Sequence, residues 1–124
     1  MRFTQDPGSA IRLIRAYGGG ELRINDDTYG ETVIVTASAV LTLPEIRDMN
    51  DLGSFDPARI FALDPELVLL GTGQRQIFPA AAFRGQFLSA GIGFEVMDTG
   101  AACRTFNVLV AEQRRVVALL MVLS

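Results

Sequence analysis

The sequence predicts a layered α/β fold, a sheet with helices packed against it and further β structure from the N-terminal half. Three observations predict it. The C-terminal half alternates strand-like and helix-like segments in the order β-α-β-α-β, the pattern of an α/β layer. Two of its strand segments, "LVLLG" (Leu67–Gly71) and "VVALLMVL" (Val116–Leu123), are continuous apolar runs, as a strand covered on both faces requires. The N-terminal half is rich in β-branched residues and alternating patterns, which favours strands over helices.

Taken in order, residues 1–10 read as a loose arm of a single domain spanning 1–124. "IRLIRAYGGG" (Ile11–Gly20) leads into "ELRIN", where Leu22 and Ile24 share one face and Glu21, Arg23 and Asn25 the other. That is strand alternation, and the three glycines between the runs predict a tight antiparallel connection. A second turn signal stands at Asn25–Asp27. "ETVIVTAS" (Glu31–Ser38) reads as another strand, and "AVLTL" (Ala39–Leu43) continues β structure up to Pro44. "PEIRDMNDLGSF" (Pro44–Phe55) is polar and irregular, with "RDMND" a solvated loop.

Asp56 can cap a short helix and Pro57 suits its first position, where a missing N–H costs nothing; Asp64-Pro65 ends it. After the Leu67–Gly71 strand, "GTGQRQIF" is a loop and Pro79 opens a helix in which Phe83 and Phe87 lie one helical step apart and Gly91 is the stop. "IGFEVM" alternates Ile92, Phe94 and Val96 as a strand. "TGAACRTFNVLVAEQRR" is a helix with Ala102, Phe106, Leu109 and Val110 on one stripe. The last apolar run closes the sheet.

Composition removes several chemistries. There is no histidine, hence no ordinary general base near neutral pH and no imidazole metal ligand. One cysteine, Cys103, cannot form an intrachain disulfide, and with no histidine it excludes Cys/His zinc sites and Ser-His-Asp or Cys-His catalysis within the chain. The charge of -3 disfavours general nucleic-acid binding, since the phosphate field repels it. All eleven basic residues are arginine. The start, "MRFTQDPGSA", lacks the apolar core of a signal peptide, and eight apolar residues at the end fall far short of the about 20 that cross a bilayer. A cytoplasmic protein without direct membrane insertion, metal or cofactor is expected.

Chemistry is sought in two places. Gly71 and Gly73 of "LLGTG" fit a dinucleotide loop, but Gln76 stands where the third glycine belongs, and no lysine exists to reach a phosphate. The plain reading is a sharp turn at a strand end, although Gly71, Thr72, Gly73, Gln74 and Arg75 could line a crevice there. The second place is "MDTGAACRTFN". Asp98 or Thr99 can cap the helix, worth about 1 kcal/mol. Cys103 is either a small buried residue or a thiol activated by the helix start and Arg104. Arg104 is on the wrong end of the helix dipole and calls for a carboxylate partner, Asp98, Asp64 or Glu66. It serves either a structural ion pair or the binding of an anion or partner. Fourteen acids contain no pair singled out for acid/base catalysis.

"PELVLLGTG", the Pro-led helix after it and "GIGFEVMDTGAACRTFNVLVAEQRRVVALLM" resemble the small proteins related to mitochondrial complex I assembly factor 3. The match covers the C-terminal sixty residues closely, and the β-rich start with its "YG" and glycine turn fits in kind. The resemblance implies a central mixed sheet with extra N-terminal strands packed on one side. It carries over Gly71, Gly73, Asp98, Thr99, Gly100, Cys103, Arg104 and Asn107, and gives none of them a catalytic role. It implies a non-catalytic protein-interaction module that helps assemble or stabilise a membrane respiratory complex, NADH dehydrogenase, through protein partners. The alternative is a small-molecule or anion-binding protein or enzyme working in the crevice between the Gly71–Gly73 loop and the helix after Asp98. The tentative crevice comprises Gly71, Thr72, Gly73, Asp98, Thr99, Cys103, Arg104 and Asn107.

Overall fold

A computed structural model describes residues 11–122; the expected arm over residues 1–10 lies outside them. The chain begins with a three-stranded antiparallel meander, β1 (Ile14–Gly18), β2 (Glu21–Ile24) and β3 (Asp27–Tyr29). Gly19 and Gly20 have φ of 59° and 77°, as a two-residue hairpin between right-twisted strands demands. The next turn places Asn25 at φ 52°, and its side-chain oxygen accepts from the Leu13 amide at 3.0 Å. Three residues long, β3 follows a turn that sequence reading placed, yet it carries too little pattern to be read as a strand itself.

The second sheet holds five strands in the order β5-β4-β8-β6-β7. Its members are β4 (Val33–Val35), β5 (Val40–Thr42), β6 (Leu67–Gly71), β7 (Gly93–Met97) and β8 (Val116–Leu120). β8, β6 and β7 run parallel, and β4 pairs antiparallel with both β8 and β5, so the sheet is mixed, as expected. The helices are α1 (Ala58–Phe61), α2 (Ala81–Ser89) and α3 (Thr99–Ala111).

The apolar runs divide their side chains between two cores. Val68 and Leu70 of β6 and Val117 and Leu119 of β8 face Phe83, Phe87, Phe94 and Ile60. Leu69, Val116, Ala118 and Leu120 face the opposite side, where Phe106, Val110 and Ala102 of α3 meet Ile14, Leu22 and Ile24 of the meander. Period-2 alternation accounts for the split. α2 and α1 therefore cover one face of the sheet, and α3 with the meander covers the other.

Three expectations are corrected. The β run from Glu31 does not continue straight through Leu43: it folds back after Val35. The Thr36 amide donates to the Ala39 carbonyl at 2.9 Å, and the Thr36 hydroxyl accepts from Ser38 and Ala39 amides at 3.2 and 3.1 Å. The "polar, irregular" stretch contains a 3-10 turn over Met49–Ser54 capped by Asp48, and it buries Ile46, Leu52 and Phe55 in the core. α3 stops at Ala111 rather than running on to Arg115, because Gln113 turns left-handed at φ 63°.

Candidate functional site

The end of β6 and the start of α3 meet at Gly71. A Cβ there would sit 3.0 Å from Thr99 Oγ1, 3.1 Å from Thr99 Cα and 2.9 Å from Leu120 Cδ2, so the glycine is what lets the helix start rest on the strand. Thr99 then closes the contact. Its hydroxyl accepts from the Gly73 amide at 2.8 Å and donates to the Met121 carbonyl at 2.7 Å, and its amide donates to the Gly73 carbonyl at 2.8 Å. The Thr72 hydroxyl donates to the Arg75 carbonyl at 2.6 Å and accepts from the Ile77 amide at 3.0 Å. Asp98 is the N-cap, accepting from the Ala101 amide at 2.8 Å. Gly71, Thr72, Gly73 and Thr99 are all buried. The expected crevice between loop and helix is thus filled by the threonine side chain, and the Thr72 and Gly73 amides are already bonded.

Cys103, Arg104 and Asn107 belong to a different place. One turn further along α3 they line a cavity of about 150 Å³ against β1, together with Gly100 and Tyr17. The cavity contains neither the glycine loop nor Asp98. Asn107 pairs with the backbone of Ile14 as a strand would: its Oδ1 accepts from the Ile14 amide at 2.9 Å and its Nδ2 donates to the Ile14 carbonyl at 2.8 Å. This is the point where β1 slips register against β2, between Ile14 and Ala16.

The Cys103 thiol is buried, packed with Phe106 and Leu120 among others in the core beneath α3. Burial pushes it up to about 12, Arg104 pulls against that, and Asp98 adds to it. The thiol is therefore held protonated near neutral pH, the opposite of an activated thiolate. Arg104 is exposed and its Nη1 comes 3.6 Å from where a Gly100 Cβ would stand. Among the described residues no carboxylate lies within 4.0 Å of it. The expected ion pair is corrected: Asp98 spends Oδ1 on the helix cap, Glu66 pairs with Arg114 at 3.0 Å, and Asp64 lies 3.8 Å from Arg115. The Glu66 carboxyl is held below the usual range, first by the Arg115 amide.

Sequence reading missed a cavity of about 480 Å³ at the opposite end of β6 and β8. The β4–β5 turn, Leu63, Val110, Gln113 and Arg114 wall it. Asp64 and Gln113 on its rim have φ of 54° and 63°. No local motif marks this site, because turns far apart in the chain build it. Among the described residues, no group of three His, Cys, Asp or Glu could hold a metal, and no helix is long and apolar enough to cross a membrane.

A family described as "Protein of unknown function (DUF498/DUF598)" matches residues 14–121. The chain is 31% identical over 117 residues to the 13 kDa major membrane protein of Francisella tularensis subsp. holarctica (strain LVS), covering 94% of the chain and 95% of the relative. It is 31% identical over 122 residues to NADH dehydrogenase (ubiquinone) 1 alpha subcomplex assembly factor 3 of Danio rerio, covering 97% of the chain and 70% of the relative. The NMR structure of XCC1710 from Xanthomonas campestris superposes with a TM-score of 0.81 at 32% identity, covering 98% of this chain and 92% of that one. The resemblance read from "LLGTG" and "MDTGAACRTFN" is borne out.

Proposed function

The chain belongs to the DUF498/DUF598 family, and from that membership we propose that it is a non-catalytic protein-interaction module, an assembly or stability factor for the membrane-bound respiratory NADH dehydrogenase, acting from the cytoplasm. One observation carries the reading: similarity to an assembly factor of that enzyme runs through 97% of the chain, both sheets included. The chemistry of the residues supports it. Thr99, Thr72 and Asp98 spend their polar atoms on backbone partners. Cys103 is buried and protonated, and histidine is absent from the sequence. Groups so committed hold a shape and are poorly placed to exchange protons with a substrate.

The test is affinity capture with the tagged chain from detergent-solubilised native membranes, paired with deletion of its gene. Enrichment of NADH dehydrogenase subunits or their assembly proteins over an untagged control, with a loss of assembled enzyme in the deletion strain, is the expected result. Background recovery together with unchanged enzyme assembly rejects the reading. Fractionation of the same cells checks the cytoplasmic placement, which fails if the chain stays with membranes after a high-salt wash.

A further inference from the structure

The two sheets end in four outer strands, and three of them are tied down or charged. On β7 the Gln76 side chain donates to the Val96 carbonyl at 2.8 Å. On β1 both backbone groups of Ile14 are taken by Asn107. β3 begins with Asp27, preceded by Asp26. Such devices keep sheet edges from pairing with other chains.

β5 has none of them. From Thr36 to Pro44 no side chain is ionisable, and its register with β4 runs without a bulge. Its hydrogen-bond phase is fixed by two bonds. The Thr36 amide donates to the Ala39 carbonyl, and the Leu43 amide donates to the Thr32 carbonyl at 2.7 Å. Bonded pairs alternate along an antiparallel ladder. Ile34–Leu41 is therefore bonded like Thr36–Ala39 and Thr32–Leu43. Val40 and Thr42 consequently turn their N–H and C=O groups away from β4, and among the described residues no strand lies beyond β5. Between them stands Leu41, a large apolar side chain 43% exposed.

We propose that β5 is the docking edge for a second copy of this chain, two β5 strands pairing antiparallel about a two-fold axis through Leu41. In that register Val40 of each copy faces Thr42 of the other as bonded pairs, so four outward hydrogen bonds close. The two Leu41 side chains meet directly across the axis, where unbonded pairs bring side chains closest. Homotypic pairing sets every residue against its own neighbourhood, and an uncharged segment does this without like-charge repulsion. The same operation on β3 would crowd Asp26 and Asp27 of both copies. The result is one continuous sheet built from both five-stranded sheets. A three-residue edge is short against the roughly 800 Å² per partner of a stable interface, so the dimer is concentration-dependent.

Analytical ultracentrifugation of the full chain tests this. The expected mass rises from 13.4 kDa toward twice that value as concentration increases to about 1 mM. Leu41→Lys alone and Leu41→Glu alone stay monomeric, and mixing the two chains restores a heterodimer through the opposed charges. Thr42→Pro, which removes an outward N–H and no bond to β4, also stays monomeric. A wild-type chain that is monomeric throughout overturns the proposal, as does a dimer that survives all three substitutions. Should a variant fail to fold, amide exchange of the wild type decides. Protection at Val40 and Thr42 that grows with concentration supports the edge, and protection independent of concentration overturns it.

Discussion

Gly73 and Thr99 hold each other twice: the Gly73 amide donates to the Thr99 hydroxyl over 2.8 Å, and the Thr99 amide donates to the Gly73 carbonyl over 2.8 Å. The same hydroxyl reaches the Met121 carbonyl, so one buried oxygen joins the ends of β6 and β8 to the start of α3. Thr99→Val keeps the shape and removes the oxygen, leaving a buried N–H and a buried C=O without partners. At about 1–3 kcal/mol for a buried group left unsatisfied, the variant should lose about 3 kcal/mol in urea unfolding. Thr99→Ser should lose far less. A loss confined to Thr99→Ser, with Thr99→Val unchanged, would mean that the methyl group, and not the hydroxyl, matters here.

Gly71 tests the close approach underneath. An alanine Cβ would meet Thr99 Cα at 3.1 Å, and a backbone atom at a helix start has little room to retreat. Gly71→Ala should cost about 1–3 kcal/mol by overpacking, seen as a lower Tm. An unchanged Tm would show that α3 can lift off β6 freely.

Asn107 supplies the joint between α3 and the meander. Asn107→Asp keeps the acceptor for the Ile14 amide but sets a carboxylate oxygen against the Ile14 carbonyl, where the Nδ2 donor now lies at 2.8 Å. The Ile14 amide should exchange faster with solvent deuterium, and stability should fall by about 1–2 kcal/mol. Protection unchanged from the wild type would mean that β1 is held by β2 alone.

Much of this is legible in the sequence. The runs at Leu67–Gly71 and Val116–Leu123 declare two-sided burial, and the three glycines Gly18–Gly20 declare a tight antiparallel connection, because each follows from one local pattern. The turn after Val35 was hidden: it uses the Thr36 hydroxyl instead of glycine or proline, so a β-branched run conceals its own reversal. Ile46, Leu52 and Phe55 enter the core from a segment without periodicity. The candidate residues were found as a string and are divided by space. Helix phase points Thr99 at the strand ends, while Cys103, Arg104 and Asn107 face β1. The large cavity near Asp64 and Gln113 depends on elements distant in sequence, so no local reading could assemble it.

Gln113 ends α3 in a conformation usually given to glycine. Its φ is 63°, its amide donates to the Val110 carbonyl at 2.9 Å, and the next amide, that of Arg114, reaches back to the Leu109 carbonyl at 3.0 Å. These two bonds are a Schellman closure with a side chain in the left-handed position. The left-handed cost is about 1–2 kcal/mol, and glycine returns about 0.4–1 kcal/mol through unfolded-state entropy. Gln113→Gly should therefore gain about 0.5–1 kcal/mol in urea unfolding. A loss would mean that the glutamine side chain contributes contacts that outweigh the strain.

Cys103 gives the pH prediction. Its folded thiol is pushed up to about 12 by burial, against about 8.5 for a free thiol. Between those values the unfolded chain has lost the proton and the native chain keeps it. The native state then binds more protons, so stability must fall as pH rises through that window, and no change from this group is expected below it. Other titrations are shared with a Cys103→Ala variant, so the difference in unfolding free energy between the two chains isolates the thiol. That difference should stay flat up to about pH 8 and move steadily against the wild type above about pH 9. At pH 8, a thiol-labelling reagent should modify Cys103 only as fast as the fold opens. Labelling at the rate of an exposed thiol, or a difference that does not change with pH, would mean that the thiol ionises in the native state and that the packing of α3 against β1 does not exclude water from it.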